Sequence, residues 1–499
     1  MKKKLLTLSL ALLVLLCGCS TKEDPNKGID ETVNLFPVSK YEDTLEITLG
    51  DVMPFYDNGE MNIYHLQNSR GTNSMYYHPI SRLTTKDYLH YEDKGISINF
   101  VEEYNHPDAA IGTGSFIKDP DGLYHCYYTG HNAAAGTGLP FIEVVRHATS
   151  TDQETWICDE SFNLYGNNND FRDPYVYYDS IDQKYYMLVT TRENNVGVIK
   201  RYASDSLEMG HQSWRDVGVF FYNDDGNYNM ECPSYIEYNN YYYLAYSEQG
   251  DNRVTHYRYR TSHDGEWKKF ERDSIDASGF YAGRLEKGGD KLYAFAWCAN
   301  LTGGFVGEFD WGGNLVSHEI KQSENGELNA VPIENVYNEL STQVKYKTVG
   351  NKTVDSIKFN EDKFSSLTFE KLKKEATRIN YKFKYNSDDG DFGLTFNVNK
   401  TNNRLGTAVI AFEPKNNRLA CYNNVSNIIR YGDVLASVPF SFEKNKSYEV
   451  NAIIQNEIMT IYFNDTVALT VRLPGIKKKN FGFYSHKANV QFEEVKFYV

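Results

Sequence analysis

A strand–turn–strand unit recurs five times along the chain, and this repeat constrains the fold more than any other feature of the sequence. In each copy a short opening strand leads into a turn, and an apolar strand rich in aromatic residues returns. The steps between successive turns are 63, 61, 57 and 50 residues, with the turns at Asn58, Asp121, Asp182, Asn239 and Gly289. Hairpins at such spacing are typical of a β-propeller with one four-stranded sheet per blade. Five copies therefore predict five blades.

The composition favours an all-β fold. Aromatic residues make up 15% of the 499 positions, with 40 Tyr and 28 Phe, and such side chains suit pleated, half-buried sheet surfaces. A chain of this length also exceeds one ordinary core, which predicts more than one domain. The formal net charge of −15 argues against a nucleic-acid partner, because phosphates are repelled by a protein without a basic patch.

Two domains are predicted from where the repeat begins and stops. We assign 44–328 to the propeller and 330–340 to a linker with a short helical element. Alternating strands return in 341–499, for example in 392–398, and the last of them pairs back, which favours a C-terminal β-sandwich. We expect this second domain to support the propeller, with glycan contact as the alternative.

The N-terminus has the pattern of an exported bacterial lipoprotein. Lysines at 2–4 precede an apolar run at 5–16, which is too short to span a bilayer as a stable anchor. The run ends in a segment that resembles a lipobox, with Cys19 as the lipidated residue because a small residue precedes it. We therefore expect a signal peptide at 1–19 and a polar tether at 20–43. The protein is expected at the outer membrane or cell surface, or facing the periplasm, and plain secretion is the alternative.

The remaining cysteines are predicted to be buried free thiols. Their odd number and the lack of a CxxC spacing support neither a disulfide framework nor a zinc site. No metal or organic cofactor is expected, and the oligomeric state is left open. The cysteines concerned are Cys126, Cys158, Cys232, Cys298 and Cys421.

Three of the opening strands carry a carboxylate that points to chemistry. Asp51, Asp173 and Glu231 precede their turn residues by 7, 9 and 8 positions. Opening strands line the central channel of a propeller, so these side chains are expected to meet at one mouth of it. Like charges held together raise the pKa of at least one partner. Two carboxylates of unequal pKa, one a nucleophile and one an acid, are what glycoside hydrolysis requires.

Each carboxylate also has a simpler interpretation. Asp51 can cap the turn into its strand, and Asp173 can form an ordinary ion pair with Arg172. Glu231 lies between two apolar residues, where an acid needs a partner or a function. The similar register in three blades favours the catalytic interpretation. Asp57 rivals Asp51, but it lies in an Asp-Asn-Gly turn that explains it fully.

Two short motifs on these strands resemble those of a known family. Arg172-Asp173-Pro174 and Glu231-Cys232-Pro233 are similar to the RDP and EC motifs of glycoside hydrolase family 32, the fructan hydrolases and invertases. The resemblance covers nearly the whole mature chain and implies a five-bladed β-propeller followed by a C-terminal β-sandwich. It implies that Asp51 is the nucleophile and Glu231 the general acid/base, while Asp173, fixed by Arg172, stabilises the transition state. We further expect substrate contacts from Arg172, Ser115, Gln67, Cys232, Tyr281 and Trp297.

The sequence departs from the family pattern around the first carboxylate. The usual WMNDPNG is replaced by the segment 49–55, which lacks the Asn before the Asp and the Asn-Gly after it. Gly112 stands where the family usually has Trp, and Leu66 stands where a sugar-contacting Gln is common, with Gln67 next to it. These changes affect the sugar-binding subsite and leave the three carboxylates in place.

The leading hypothesis is a retaining glycoside hydrolase that acts on β-fructofuranosyl linkages in levan, inulin or sucrose-type oligosaccharides. One alternative is a related five-bladed propeller that acts on arabinofuranosides or xylosides by inversion, with carboxylates about 6.5–9.5 Å apart instead of about 5–5.5 Å. The Glu-Cys pair favours the fructoside branch. An alternative from a different functional class is a surface lipoprotein that binds a glycan without cleaving it.

Overall fold

A computed structural model of the chain describes residues 33–41, 45–69, 75–208, 210–249, 253–301, 309–360, 363–398, 406–423, 434–476 and 479–499. Within these ranges almost every regular element is a strand. The strands form five propeller blades, two sandwich sheets and a small ribbon of β1 (Ser39–Tyr41) and β2 (Leu45–Ile47).

The propeller sheets follow one another along the chain, as the repeat predicts. Blade one contains β3 (Leu49–Asp57), β4 (Glu60–Gln67), β5 (Ile80–Thr85) and β6 (Glu92–Ile98). Blade two contains β7 (Ala110–Lys118), β8 (Tyr124–His131), β9 (Glu143–Ser150) and β10 (Ile157–Cys158). Blade three contains β11 (Phe171–Asp179), β12 (Lys184–Glu193), β13 (Val196–Ser204) and β14 (Arg215–Tyr222). Blade four contains β15 (Glu231–Tyr238), β16 (Tyr241–Ser247) and β17 (Thr255–Arg260). Blade five contains β18 (Tyr281–Gly288), β19 (Lys291–Leu301), β20 (Phe309–Gln322) and β21 (Leu328–Val331).

The predicted turns join the first two strands of each blade. In blade one, Asn58 and Gly59 have φ of 50° and 82°, and in blade four Asn239 and Asn240 have φ of 46° and 65°. Two successive residues with positive φ give the tight hairpin turn whose twist matches that of the flanking strands. Asn and Gly accept this conformation readily, so the turns fix the hairpin register.

Blades one and five are joined, which closes the ring. Gly313 of β20 pairs with Leu49 of β3, and the two blades form one continuous sheet. A side chain does not fit at this junction, because a Cβ on Gly313 would lie 1.8 Å from the carbonyl oxygen of Cys298. The last blade is thereby packed against the first, so that each blade has a neighbour on both sides.

Blade four has three strands where the repeat predicts four. Beyond β17 only two isolated bridges form, from His256 to Ser274 and from Tyr259 to Lys268. The segment 262–274 is rich in charge and carries no alternating apolar pattern. Arg258 instead holds it with an ion pair of 2.7 Å to Asp273. A side-chain contact thus replaces part of the missing ladder.

A short helix and two further sheets follow the propeller along the chain. Helix α1 (Glu334–Glu339) lies in the linker. One sandwich sheet contains β22 (Gln343–Val344), β23 (Ile357–Asn360), β25 (Ala376–Tyr385), β30 (Tyr448–Gln455), β31 (Ile458–Phe463), β32 (Val467–Arg472) and β34 (Asn489–Tyr498). The other contains β24 (Phe364–Lys371), β26 (Asp391–Phe396), β27 (Ala408–Glu413), β28 (Arg418–Asn423), β29 (Val434–Pro439) and β33 (Asn480–His486).

The sandwich core follows from alternation along its strands. In β25, the alternate residues Ile379, Tyr381, Phe383 and Tyr385 are all buried in the core between the sheets. Aromatic side chains from both sheets contact one another there, and the rings of Phe383 and Phe412 lie 4.7 Å apart. Burial of such large apolar surfaces is the main source of stability for the domain.

The sandwich packs on blade five of the propeller. A buried polar group joins them, in which Asp276 accepts a hydrogen bond of 2.7 Å from the Thr470 backbone N–H and lies 2.9 Å from His318. His318 contacts the Tyr462 hydroxyl through its other nitrogen, at 2.9 Å. Satisfied polar groups of this kind fix one relative position of two surfaces.

The same interface supports the strand that enters the channel mouth. Arg472 of the sandwich donates to the carbonyl oxygens of Cys298 and Ala299, at 3.1 and 2.9 Å. These carbonyls follow Trp297 on β19 directly. The second domain therefore braces a strand of the candidate site.

The segment before the propeller is partly folded, which corrects the predicted extent of the tether. We expected 20–43 to be a polar tether, yet Leu35 and Phe36 are buried. The Leu35 N–H donates to the side chain of Gln455 at 2.8 Å. Apolar side chains with a surface to cover do not remain in a solvated linker. Residues 1–32, with the predicted signal peptide and Cys19, lie outside the described residues. None of the helices in the described ranges combines the length and apolar character that a membrane crossing requires.

Candidate active site

All five opening strands bulge at the same place, at the start of the blade. The pairing with the second strand slips by one residue between the members of five pairs: Gly50/Val52, Gly112/Gly114, Arg172/Tyr175, Glu231/Ser234 and Tyr281/Arg284. A bulge puts two residues opposite one, bends the strand and redirects side chains, and bulges are common beside active sites. Here they turn the strand ends towards the channel mouth.

The bulges refine the predicted register of the carboxylates. Asp51, Asp173 and Cys232 lie in the bulges themselves with positive φ, of 24°, 58° and 54°. Glu231 stands one residue earlier, in the paired position that Arg172 occupies in blade three. The three carboxylates therefore come from two adjacent rows at the mouth and not from one row, as the spacing had suggested.

Asp51 is held by two neutral donors. Its Oδ2 accepts from the Thr113 hydroxyl at 2.9 Å, and its Oδ1 accepts from the Trp297 indole N–H at 3.0 Å. Burial raises the pKa of Asp51 above its ordinary value and the Glu231 carboxylate raises it further, whereas Thr113, Trp297 and Arg284 act in the opposite direction. The carboxylate is thus oriented without being neutralised by an ion pair.

Asp173 is the most enclosed of the three, with 4% of the residue exposed. Its Oδ2 accepts from the backbone N–H of Cys232 at 2.8 Å, and its own N–H donates to the Thr129 hydroxyl at 2.9 Å. Burial raises the pKa of Asp173 to about 7, helped by Glu231 and Asp51 and opposed by Arg172. Its Oδ1 makes no hydrogen bond to any described residue and remains available to a ligand.

Glu231 has three donors around its two oxygens. Oε1 accepts from Arg172 at 3.2 Å and from the Gln249 amide at 2.7 Å, and Oε2 accepts from the Tyr281 hydroxyl at 2.6 Å. Burial raises the pKa of Tyr281 well above its usual value and the Glu231 carboxylate raises it further, so the phenol keeps its proton and donates. Cation and phenol together fix the Glu231 side chain at the mouth.

Arg172 links Glu231 to two further acids. Its Nη1 lies 3.1 Å from Asp170 and 3.4 Å from Glu143. Glu143 also accepts from the Phe171 backbone N–H at 2.7 Å. Burial opposes ionisation of Glu143, but the hydrogen bond from His131 and the charge of Arg172 lower its pKa overall. One guanidinium therefore positions Glu231 while its own charge is balanced from the other side.

Four of the predicted substrate-binding residues lie in this cluster. Arg172 and Tyr281 contact Glu231, Trp297 contacts Asp51, and the Cys232 backbone N–H contacts Asp173. The Cys232 thiol is buried and lies 3.9 Å from the Thr113 hydroxyl. The four residues therefore hold the carboxylates.

The structure corrects the prediction for the other two residues. Ser115 is buried and accepts from the Val176 backbone N–H at 2.9 Å, so it joins blades two and three below the mouth. Gln67 is fully buried and donates to Ser39 at 3.1 Å, which ties blade one to the N-terminal ribbon. Both side chains are thus occupied by contacts within the fold.

The sequence reasoning missed an aromatic wall beside Asp51. The Trp311 and His78 rings stack with centroids 3.8 Å apart, and Trp311 lies 6.0 Å from Trp297. A Cβ on Gly50 would lie 2.4 Å from the Trp311 ring, so only glycine fits before Asp51. Sequence offered only one signal for this contact, the unusual glycine at the position where the family carries Asn.

Other functional candidates that the sequence did not single out are polar. Thr113 and Gln249 contact Asp51 and Glu231 directly. Arg284 is buried and donates to the Gly114 carbonyl oxygen, while its Nε and Nη2 find no hydrogen-bond partner among the described residues. Its charge lowers the pKa of Asp51. These residues come from blades two, four and five, so nothing in their local sequence joins them.

A possible metal-ligand group lies far from this site. Asp179, Asp182 and His263 place one ligand atom each within 4.8 Å of one another. Asp179 ends β11 at the turn, whereas Asp173 lies near its start. His263 lies 2.7 Å from Asp179, and the Tyr186 hydroxyl donates to Asp182 at 2.7 Å. The group therefore belongs to the opposite end of blade three.

Comparisons with known proteins agree with this arrangement. The family model described as "Glycosyl hydrolases family 32 N-terminal domain" matches residues 52–318. The chain is 28% identical over 285 residues to the levanbiose-producing levanase of Geobacillus stearothermophilus, an alignment that covers 50% of this chain and 65% of that protein. It is 27% identical over 285 residues to the levanbiose-producing levanase of Bacillus subtilis (strain 168), with 50% of each chain covered. The chain thus spans less than two thirds of the length of these levanases.

A solved structure shows the same overall fold. The GH32 beta-fructofuranosidase of Bombyx mori aligns with a TM-score of 0.65 at 15% sequence identity, covering 93% of this chain and 95% of that one. The likeness extends over both the propeller and the sandwich. The predicted all-β architecture of a five-bladed β-propeller followed by a C-terminal β-sandwich is thereby confirmed.

Proposed function

The chain belongs to glycoside hydrolase family 32, and from this premise we propose that it hydrolyses β-fructofuranosyl linkages in levan, inulin or sucrose-type oligosaccharides. The observation that carries the proposal is the division of three carboxylates between three environments at one channel mouth. Asp51 is held by neutral donors, Glu231 by a guanidinium, an amide and a phenol, and Asp173 by a backbone N–H. Different environments are how one site assigns different roles to chemically similar groups.

In the first step Asp51 is the nucleophile. One of its oxygens forms a bond to the anomeric carbon of the fructosyl unit as the bond from that carbon to the glycosidic oxygen breaks. Glu231 transfers its proton to the departing oxygen, so the leaving sugar departs as a neutral alcohol. Thr113 and Trp297 fix the direction of attack, since each holds one oxygen of Asp51.

In the second step water releases the fructose. Glu231, now ionised, accepts a proton from the water as the water oxygen attacks the anomeric carbon, and the bond to Asp51 breaks. The donors from Arg172, Gln249 and Tyr281 stabilise the Glu231 anion formed between the two steps. The cycle ends with both side chains in their starting protonation states.

Asp173 is assigned to the sugar hydroxyls. Its Oδ2 is taken by the Cys232 N–H, and Oδ1 is left to accept from a ligand. The hydrogen bond from a sugar hydroxyl to this oxygen becomes stronger in the transition state, because positive charge develops on the sugar ring. Enclosure of Asp173 adds to this effect, because electrostatic interactions are stronger where water is excluded.

A product assay tests the proposed function. The protein without its predicted signal peptide should release fructose or short fructans from at least one of levan, inulin and sucrose. The Glu231→Gln variant should release neither. Proton NMR of the first product should show the anomeric configuration of the substrate, as a double displacement requires. If the protein acts on none of the three substrates, the proposed function is rejected. A product of inverted anomeric configuration would reject the nucleophilic role of Asp51.

We also propose that the protein is anchored by a lipid on Cys19 at the bacterial outer membrane, facing the exterior or the periplasm. The support is the basic start, the apolar run and the small residue before Cys19. Metabolic labelling with a fatty acid should mark the wild type and not Cys19→Ala. Equal labelling of both proteins would reject the anchor.

A further inference from the structure

A row of interacting side chains leads from Glu231 to the protein surface. Arg172 bonds to Glu231 and to Asp170, and Asp170 forms a two-point ion pair with Arg192, at 3.2 and 3.3 Å. The Arg192 guanidinium in turn lies over the Tyr228 ring, 5.0 Å from its centroid. Each member contacts the next, so the row is continuous.

Exposure rises steadily along this row. The side chains of Glu231, Arg172, Asp170 and Arg192 are 14%, 17%, 30% and 35% exposed, and Tyr228 is 47% exposed. The row therefore runs from the buried carboxylates out to solvent. Tyr228 stands at its outer end and precedes Glu231 by three residues, a length of chain that spans at most about 11 Å.

The loop that carries Tyr228 is fixed to the site. The Asn227 amide donates to Glu248 at 3.0 Å and to the Gln249 carbonyl oxygen at 3.3 Å. Gln249 itself donates to Glu231 at 2.7 Å. The exposed ring is thus held at a set place relative to the proposed acid.

We propose that Asp170, Arg192 and Tyr228 form a leaving-group subsite that binds the second sugar unit beyond the cleaved bond of a fructan chain. The inference rests on the proposed function. The acid touches the leaving oxygen, so the leaving chain must pass along the side of the mouth where Glu231 and its neighbours stand. The first leaving sugar lies beside Arg172, and the next one reaches Asp170, Arg192 and the Tyr228 ring.

The chemistry of the row suits a sugar chain. A sugar ring has one face of C–H groups that packs on an aromatic ring, whose face is electron-rich. The carboxylate of Asp170 accepts, and the guanidinium of Arg192 donates, the hydrogen bonds that ring hydroxyls require. Sucrose leaves a single sugar beyond the bond and does not reach Tyr228, whereas an oligosaccharide of four units does.

Kinetics on two substrates test the subsite. Tyr228→Ala should raise the KM for a levan-type tetrasaccharide by about threefold to tenfold, the loss expected for one aromatic contact, and leave the KM for sucrose unchanged. Tyr228→Phe keeps the ring and should restore the wild-type KM. Tyr178→Ala is the matched control, since Tyr178 is 51% exposed near the opposite end of β11. This variant should change the KM for neither substrate. Equal changes for both substrates, or no change for the tetrasaccharide, would overturn the inference.

Binding separates failure of the subsite from failure of the proposed function. Titration of the same tetrasaccharide into Glu231→Gln and into the Glu231→Gln/Tyr228→Ala double variant measures affinity without turnover. Weaker binding by the double variant supports the subsite even if the wild type hydrolyses neither substrate, an outcome that would reject only the fructosidase activity. Equal affinity of the two variants overturns the subsite whatever the wild type hydrolyses.

Discussion

Asp51 and Asp173 occupy the same bulged position on the opening strands of blades one and three, and both have positive φ. Aspartate tolerates this conformation better than most residues. The two side chains nevertheless meet different partners, because Asp51 faces Thr113 and Trp297 and Asp173 faces the Cys232 backbone. Equivalent backbone positions thus place two carboxylates in different environments at one channel mouth.

Loss of the proposed acid should abolish turnover and preserve the fold. Glu231→Gln keeps the size of the side chain but removes the transferable proton, so kcat should fall by about 10²–10⁴-fold with little change in Tm. Glu237→Gln on the same strand is the control, since Glu237 is exposed near the turn end of β15 and should retain full activity. Near-normal turnover of Glu231→Gln would reject the assignment.

Asp51 and its sequence rival Asp57 should behave differently. Asp51→Asn removes the nucleophile and should eliminate measurable hydrolysis. Asp57 lies at the other end of the strand, where it accepts from Tyr124 at 2.7 Å, so Asp57→Asn should change stability slightly and activity hardly at all. Steady-state assays of both variants decide between them, and the reverse pattern would reassign the nucleophile.

Tyr281 should matter for catalysis more than for stability. Tyr281→Phe removes the hydrogen bond of 2.6 Å to Glu231 and keeps the ring that packs on Trp297 at 5.6 Å. A hydrogen bond to a charged group contributes about 1.5–3 kcal/mol, which corresponds to a decrease in kcat of roughly tenfold to a hundredfold. Thermal unfolding should show a nearly unchanged Tm. An unchanged kcat would show that the phenol does not stabilise Glu231 during turnover.

Arg284 should set the low-pH limit of activity. Its charge lowers the pKa of Asp51, so Arg284→Met should raise that pKa and leave less ionised nucleophile at low pH. The acid limb of kcat/KM should move to higher pH, and Arg284→Lys should largely restore it. A profile that does not move in Arg284→Met, in a variant shown to be folded, would contradict this role.

Asp173 should make the protein less stable as the pH rises. Burial raises its pKa from 3.8 to about 7 in the folded state, so between about pH 4 and pH 7 the folded chain binds a proton that the unfolded chain does not. The free energy of unfolding contributed by this group is then present at low pH and lost as the pH rises through that window. Asp173→Asn removes the effect. Urea unfolding at pH 4.5, 5.5 and 7.5 should show the stability of the variant relative to the wild type increasing with pH, and a constant difference would contradict the prediction.

Local patterns in the sequence determined the repeat, the turns and the opening strands of this protein. Hairpin turns of Asn and Gly and alternating aromatic strands act over a few residues, and five similar units leave few arrangements other than a closed ring. The motifs around Asp173 and Glu231 predicted that their strands form the candidate site for the same reason. These features were predictable because each is encoded within about twenty consecutive residues.

Only the tertiary structure decided which side chains enter the pocket. Ser115 bonds between blades two and three and Gln67 bonds to the N-terminal ribbon. A bulge of one residue moves a side chain to the other face of a strand, and counting along the sequence does not locate the bulge. Trp311 contacts Gly50, and the Trp297 indole bonds to Asp51, where the last blade meets the first. Contacts between residues so far apart in the chain depend on the packing of every blade between them, which no short stretch of sequence specifies.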